Sequence, residues 1–417
     1  MAVIEINGGV RLSGEAVIHG AKNSALPMLA ACAAVQGCCR LENCPALTDV
    51  NAAVGILRYI GCRTEQCGTA VCTDASELSR FDIPEHLMRE MRSSISFLGA
   101  VLARFGRAEI SLPGGCELGA RPVDIHLSAL EKMGAAVQER HGIISCRCNG
   151  RMKGAAITLS FPSVGATENI MTAAATAEGT TIINNAAREP EITDLGNFLT
   201  CCGARISGCG SSTIIIDGVE RLHGCTYTIM PDRIEAATYM AAAAITGGKV
   251  LLRQVVPEHI QPVTSVLEKM GCRIHCTESG LLVDAPRRLR PAGTVRTMPY
   301  PGFPTDAQAI IMAVTCVAEG TSVFVENIFD SRFKHVGELC RLGARITTEG
   351  RAAVVEGAER LTGASVTATD LRGAAALAVA GLVAEGTTTL SGLNHLDRGY
   401  ENLEEGLAAL GASVIRR

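Results

Sequence analysis

One spacing constrains this chain more than any other property. A helix-like stretch ends in a hydrophobic residue, then Gly, then a small residue, then an alternating segment. The pattern occurs at Ile60-Gly61-Cys62, Met133-Gly134-Ala135, Cys202-Gly203-Ala204, Met270-Gly271-Cys272, Leu342-Gly343-Ala344 and Leu410-Gly411-Ala412. A second series interleaves with it. Gly37, Gly106, Gly179, Gly248, Gly320 and Gly386 each follow an Ala-rich or apolar stretch and precede a β-rich run such as Thr180-Thr181-Ile182-Ile183. Glycine supplies the left-handed residue that ends a helix, and the β-branched runs after it favour strand. Each unit therefore reads as two helices with strands between and after them. A period of about 70 residues exceeds the roughly 20–50 residues of common solenoids, so compact domains of a few units are expected.

Size and charge narrow the class. The 417 residues favour two or three domains, and 47% apolar against 19% charged residues predicts a well-buried globular protein. A formal net charge of -4 gives no reason to expect a nucleic-acid partner. Five Tyr, nine Phe and no Trp leave few stacking platforms for bases or sugars. The start of the chain lacks a basic segment followed by an apolar one, and stretches such as Ala374 to Ala384 are too short and too Ala-rich for a bilayer span. The expectation is a cytoplasmic protein without membrane association. The 18 Cys include no C-x-x-C pair, and in a reducing compartment nearly all are expected to act as small buried hydrophobes. There is no G-x-x-x-x-G-K-[ST] loop and no His pair at metal-binding helical spacing, so chemistry without metal or cofactor is expected.

Several segments carry candidate chemistry. Lys22 opens an apolar helical stretch, where an ammonium beside a helix start would favour anions, although a solvated Lys near a cap is the commoner case. Leu112-Pro113-Gly114-Gly115-Cys116-Glu117-Leu118-Gly119-Ala120-Arg121-Pro122-Val123-Asp124 reads as a flexible exposed loop. Its Cys116 and Arg121 suggest a thiolate stabilised by a guanidinium, and a lid over an anionic substrate; the alternative is a Gly-rich hairpin with an incidental Cys. Asp306 sits where the turn Pro301-Gly302-Phe303-Pro304 becomes a helix, and is either a first-turn carboxylate or a general base. Arg92, Arg332, Arg372 and Arg398 stand in loop-like contexts; a lone Arg is usually solvated, but several aimed at one site clamp phosphate and carboxylate groups.

In order along the chain, these segments resemble a known family. They are Gly20-Ala21-Lys22-Asn23-Ser24-Ala25, the Cys116 loop, Ser163-Val164-Gly165-Ala166-Thr167, Pro231-Asp232-Arg233-Ile234-Glu235, Phe303-Pro304-Thr305-Asp306, Ala368-Thr369-Asp370-Leu371-Arg372 and Asp397-Arg398-Gly399-Tyr400-Glu401. Together they resemble the UDP-N-acetylglucosamine 1-carboxyvinyltransferases, a family of enolpyruvyl transferases, essentially end to end. The resemblance implies an α/β fold: a two-lobed inverse α/β barrel of six βαβαββ repeats with its active site in the interlobe cleft. One lobe would span residues 22–229 and the other residues 1–21 with 230–417. The substrates implied are phosphoenolpyruvate and UDP-N-acetylglucosamine, with no obligate protein partner.

The resemblance also assigns roles. Lys22, Arg121 and Arg398 would hold the phosphate and carboxylate of phosphoenolpyruvate, with Asn23 beside them. Cys116 would be the general acid and the thiol alkylated by the epoxide fosfomycin, and Asp306 the base facing the sugar 3-hydroxyl. Arg92, Arg121, Pro122, Val123, Asp124, Ile125, Ser163, Val164, Gly165 and the Ile328 backbone would contact the UDP-sugar. Asp49, Arg332, Asp370 and Arg372 would position substrate or coordinate closure. Two departures bear on nucleotide affinity. Phe161-Pro162 precedes Ser163 where some relatives have Lys-Val, and Ser331 precedes Arg332 where Asn is common.

Three other readings compete. The sister enzyme acting on shikimate 3-phosphate would carry a Gly-Asn-Ala-Gly-Thr-Ala type segment near Arg92, where this chain has Met91-Arg92-Ser93-Ser94-Ile95. A non-catalytic UDP-sugar-binding paralogue would not need Cys116 or Asp306. A structural repeat protein is permitted by the repeats, but does not call for the charged motifs.

Overall fold

A computed structural model describes residues 2–112 and 123–417. The fold is mixed α/β. The chain separates into two compact units. A terminal unit holds the residues up to His19 together with Pro231–Arg417, and a central unit holds the described residues from Gly20 to Met230.

Among the described residues there are six four-stranded sheets and one two-stranded sheet. All six larger sheets share one pattern. An edge strand pairs parallel with the second, the second antiparallel with the third, and the third antiparallel with the fourth. In the central unit, for example, Thr226–Thr228 runs parallel to Cys38–Glu42, which is antiparallel to Ala70–Asp74, itself antiparallel to Arg63–Cys67. In the terminal unit, Thr294–Arg296, Thr321–Val325, Ala352–Glu356 and Arg345–Glu349 repeat the arrangement. In two of these sheets the parallel pair joins segments far apart in sequence, as where Ser13–Val17 lies beside Lys249–Arg253.

The glycine series explains the helix ends. Gly61, Gly134, Gly203, Gly271, Gly343 and Gly411 all have φ between 92° and 104°, the left-handed region that Cβ-bearing residues rarely adopt. Each ends an outer helix: Thr48–Tyr59, Asp124–Lys132, Pro190–Cys201, Pro257–Lys269, Val336–Arg341 and Leu403–Ala409. In the second series Gly37, Gly106, Gly179, Gly320 and Gly386 also have positive φ, but Gly248 does not; Gly247 (φ 62°) takes the left-handed turn there. Gly248 meets a different demand, because a Cβ on it would lie 2.6 Å from the Leu12 carbonyl oxygen.

The inner helices differ from the outer ones because they are buried on nearly every side. Lys22–Cys32, Phe97–Phe105 and Val164–Ala174 pack on one another in the central unit, and Arg233–Ile245, Thr305–Thr315 and Leu371–Gly381 do so in the terminal unit. Every residue from Ile234 to Ile245 is buried. Alanine lets these helices approach closely, so Ala242→Leu would overpack its fully buried site at a cost of about 1–3 kcal/mol. The strands follow the alternation read from the sequence: in Thr213–Asp217, Ile214 and Ile216 are buried while Ile215 faces outward.

Candidate active site

In the terminal unit the candidate residues collect around Asp306, in the first turn of the helix Thr305–Thr315. The sequence left open whether Asp306 is only an N-cap or first-turn carboxylate. Pro304, which has no side-chain acceptor, is the N-cap, and Asp306 does stand in the first turn, but its carboxylate is not simply solvated there. Instead each carboxylate oxygen is taken by an arginine. Arg332 Nη2 donates to Oδ1 at 2.9 Å and Arg372 Nη2 donates to Oδ2 at 2.9 Å. Both guanidinium side chains are 3% exposed, whereas the Asp306 side chain is 28% exposed. Two buried cations thus orient a partly open carboxylate.

The arginines are themselves fixed. Arg332 also donates to the Thr305 carbonyl at 2.9 Å. Arg372 donates to the Tyr400 hydroxyl at 3.3 Å, which lies 2.8 Å from the Thr238 hydroxyl. Burial disfavours the Arg372 charge, but Asp306, Tyr400 and Asp232 together outweigh it and raise the guanidinium above its ordinary value. Asp370 caps the helix Leu371–Gly381, accepting from the Arg372 and Gly373 amides at 3.0 Å. Arg372 was read as a loop residue; it is the second residue of that helix, buried because its charge is paired within the core. Arg398 lies half-buried in the turn after Leu393–Leu396.

Glu326 connects this cluster to the Ile328 backbone. Its Oε1 accepts the Ile328 and Phe329 amides at 2.8 and 3.1 Å, and its Oε2 accepts the Thr305 hydroxyl at 3.0 Å. Glu326, Tyr400, Thr238 and the fully buried His335 were not singled out from the sequence. Glu326 ends an ordinary β-rich run, and its tie to Thr305 spans 21 positions.

The central unit carries a second group. Lys22 is the first residue of Lys22–Cys32, a helix with no side-chain cap. Its Nζ lies 2.8 Å from Asp49 Oδ2, with side chains 10% and 3% exposed. The sequence suggested an ammonium beside a helix start; the fold adds a buried counter-charge from the first turn of Thr48–Tyr59. Asn23 is half-buried beside Lys22.

Arg92 opens a 3-10 turn, Arg92–Ser96, that leads into Phe97–Phe105. Ser163 caps Val164–Ala174, accepting the Ala166 amide at 3.3 Å. Asp124 and Ile125 begin Asp124–Lys132, with Val123 before them. Asn169 joins these elements. It donates to the Ile95 carbonyl at 3.1 Å and to His126 Nδ1 at 3.0 Å, and accepts the Gly99 amide at 2.6 Å. The His126 proton therefore sits on Nε2, and burial holds the imidazole down to about 4. Val164 and Gly165 are half-buried, and a Cβ on Gly165 would lie 3.4 Å from the His126 ring. The elements that carry Arg92, Asp124 and Ser163 thus meet at Asn169 within this unit. Phe161 is 41% exposed, and the cap made by Ser163 survives the departure before it.

Cys116, Arg121 and Pro122 lie outside the described residues. Of the other cysteines, Cys38, Cys67, Cys201, Cys276 and Cys340 are exposed. The reading of nearly all cysteines as buried hydrophobes is therefore corrected: several fall on outward positions of edge strands or helix ends, as Cys67 and Cys276 do. Nor did the sequence, which showed no metal-ligand spacing, reveal that Cys39, Cys202 and Cys225 converge in space.

The comparisons with known proteins place the chain in a family. Residues 6–407 match the model of the family described as EPSP synthase (3-phosphoshikimate 1-carboxyvinyltransferase). The UDP-N-acetylglucosamine 1-carboxyvinyltransferase 2 of Caldanaerobacter subterraneus subsp. tengcongensis is 50% identical over 417 residues, covering all of both chains. The UDP-N-acetylglucosamine 1-carboxyvinyltransferase of Shewanella amazonensis is 47% identical over 416 residues, again covering all of both. The chain belongs to the UDP-N-acetylglucosamine 1-carboxyvinyltransferase family. Among solved structures, an enolpyruvyl transferase from Streptomyces tendae is 28% identical with a TM-score of 0.89, covering 100% of this chain and 98% of that one. An EPSP synthase from Acinetobacter baumannii, 19% identical with a TM-score of 0.76 and complete coverage of both chains, shares the fold. Among the described residues of this carboxyvinyltransferase family member, no helix is long and apolar enough to cross a membrane.

Proposed function

We propose that this protein transfers the enolpyruvyl group of phosphoenolpyruvate to the 3-hydroxyl of UDP-N-acetylglucosamine, releasing phosphate, as the first committed step of peptidoglycan precursor synthesis in the cytoplasm. The observation that carries this reading is the end-to-end identity of 50% with a relative bearing that activity in its name. The inverse-barrel arrangement of six repeats, with lobes divided at residues 21/22 and 229/230, belongs to the proposal.

The reaction is addition followed by elimination. The sugar 3-hydroxyl oxygen bonds to C2 of phosphoenolpyruvate, the hydroxyl proton goes to a base, and C3 gains a proton. The tetrahedral intermediate then loses phosphate and a C3 proton, leaving the enol ether. Asp306 is the base in this scheme: its carboxylate is oriented by two arginines, yet 28% of its side chain remains open to an incoming hydroxyl. Cys116 delivers the proton to carbon. Lys22, Arg121 and Arg398 hold the phosphoenolpyruvate anions and stabilise charge that shifts during the reaction, with Asn23 adjoining. Arg92, the segment Arg121–Ile125, Ser163–Gly165 and the Ile328 backbone hold the UDP-sugar. Asp49 keeps Lys22 in place, and Arg332, Asp370 and Arg372 keep Asp306 in place. No metal or cofactor enters this scheme.

Mass spectrometry of the products tests it. A UDP-sugar carrying the added three-carbon acid, formed only with phosphoenolpyruvate present, supports the reading. Unchanged UDP-sugar from folded protein contradicts it. Fosfomycin should label Cys116; a label on another cysteine, with Cys116 unmodified, would remove its assigned role.

A further inference from the structure

The central unit contains a thiol cluster that the transfer reaction does not use. The sulfurs of Cys39, Cys202 and Cys225 all lie within 4.8 Å of one another, and Cys202 Sγ is 3.4 Å from Cys225 Sγ. A fourth thiol, Cys32, hydrogen-bonds to Cys39. Cys32 and Cys202 are fully buried, Cys39 is 2% exposed and Cys225 is half-buried.

Four separate segments supply these residues. Cys32 ends the inner helix Lys22–Cys32, and Cys39 lies on the strand Cys38–Glu42. Cys202 is the C-cap of the outer helix Pro190–Cys201. Cys225 precedes the strand Thr226–Thr228, whose parallel pairing with Cys38–Glu42 is extended by the Arg40 amide donating to the Cys225 carbonyl at 2.8 Å. Sheet pairing and the helix end thus fix the positions from which the thiols project. Cysteines buried merely as small hydrophobes have no reason to aim three sulfurs at one point. Thiolates bound to one zinc at about 2.3 Å stand roughly 3.8 Å apart, a separation these sulfurs reach with small shifts.

We propose that Cys39, Cys202 and Cys225 form a binding site for a thiophilic metal ion of the Zn2+ or Cu+ class, which ties the beginning of the central unit to its end. Soft thiolates select such ions. Uptake of the ion displaces thiol protons, so binding strengthens as pH rises. Half-buried Cys225 gives the ion a way in. Three sulfurs suffice for Cu+; Zn2+ would complete its four ligands with water.

The test uses the full chain, reduced, stripped of metal and handled without oxygen. One equivalent of Zn2+ or, separately, of Cu+ is added, and iodoacetamide labelling of each cysteine is followed by mass spectrometry. Slowing of Cys225 labelling by about tenfold, with exposed Cys38 and Cys201 labelled at their former rate, is the expected result. Cys202→Ser should abolish that protection, and Cys67→Ser should keep it. If Cys202→Ser does not fold, the protection in the unmodified chain decides alone. Unchanged labelling of Cys225 with both ions overturns the proposal, as does protection that survives in folded Cys202→Ser protein.

Discussion

The two units share a sheet pattern and a trio of packed inner helices, yet the acids at those helix starts belong to one unit alone. In the terminal unit every inner helix begins with an acid: Asp232 and Asp370 cap, and Asp306 stands in the first turn. In the central unit the corresponding starts carry Lys22, Ser163 and, through a 3-10 turn, Arg92. A helix start is the positive end of the backbone dipole and favours negative charge. The terminal unit meets that preference with its own carboxylates. The central unit places cations and a hydroxyl there, which suits a substrate that brings its own negative charges.

The sharpest way to break this contrast is at Asp306. Asp306→Asn keeps the shape while removing the base, and turnover should fall by about 10²–10⁴-fold with UDP-sugar binding little changed. Phosphate release and calorimetric titration of UDP-N-acetylglucosamine read the two effects separately. Asp306→Ala is the poorer variant, because stranding two buried guanidiniums costs about 3–5 kcal/mol of stability.

The central unit's counterpart is the buried Lys22–Asp49 pair. Lys22→Met alone removes the cation facing the buried Asp49 carboxylate and should cost about 3–5 kcal/mol of stability. Adding Asp49→Asn should recover much of that loss without restoring turnover. A cycle of denaturant midpoints and rates checks both; recovered turnover would make Lys22 a purely structural residue.

Acid should weaken both units by the same device. Burial holds His126 in the central unit and His335 in the terminal unit down to about 4. The unfolded chain takes up a proton near pH 6.5, so between about 6.5 and 4 it binds more protons than the folded one. The stability in question is complete above pH 6.5 and is lost as pH falls towards 4. For His126 the loss is on the order of 3 kcal/mol. Denaturant midpoints between pH 7.5 and 4.5 should show the fall, and His126→Gln should flatten part of it. An unchanged slope would mean that His126 is not kept neutral by its burial and by Asn169.

Removing a cap is the gentlest test. Ser163→Ala should cost about 1 kcal/mol. Asp370→Ala, losing a charged cap on two amides, should cost more.

Much of the repeat architecture could be read from glycines, because a positive φ restricts sequence strongly and locally. Gly248 shows the limit: two adjacent glycines fill one turn, and the pattern does not say which takes the left-handed angle. The site was legible where a residue type is odd for its place, as with Lys22 opening an apolar helix. Spacing did not show that Arg332 and Arg372 grip the same carboxylate, since the three residues span 66 positions. Nor did it expose Asn169, an ordinary helix residue until the fold brings Ile95, Gly99 and His126 against it. The thiol cluster escaped for the same reason, its members coming from opposite ends of the unit.

The central claim is the transfer itself, and phosphate release tests it most directly. The protein is mixed with phosphoenolpyruvate and either UDP-N-acetylglucosamine or shikimate 3-phosphate. Release with the UDP-sugar alone is the predicted result. Release with shikimate 3-phosphate alone, or with neither acceptor from folded protein, contradicts the account.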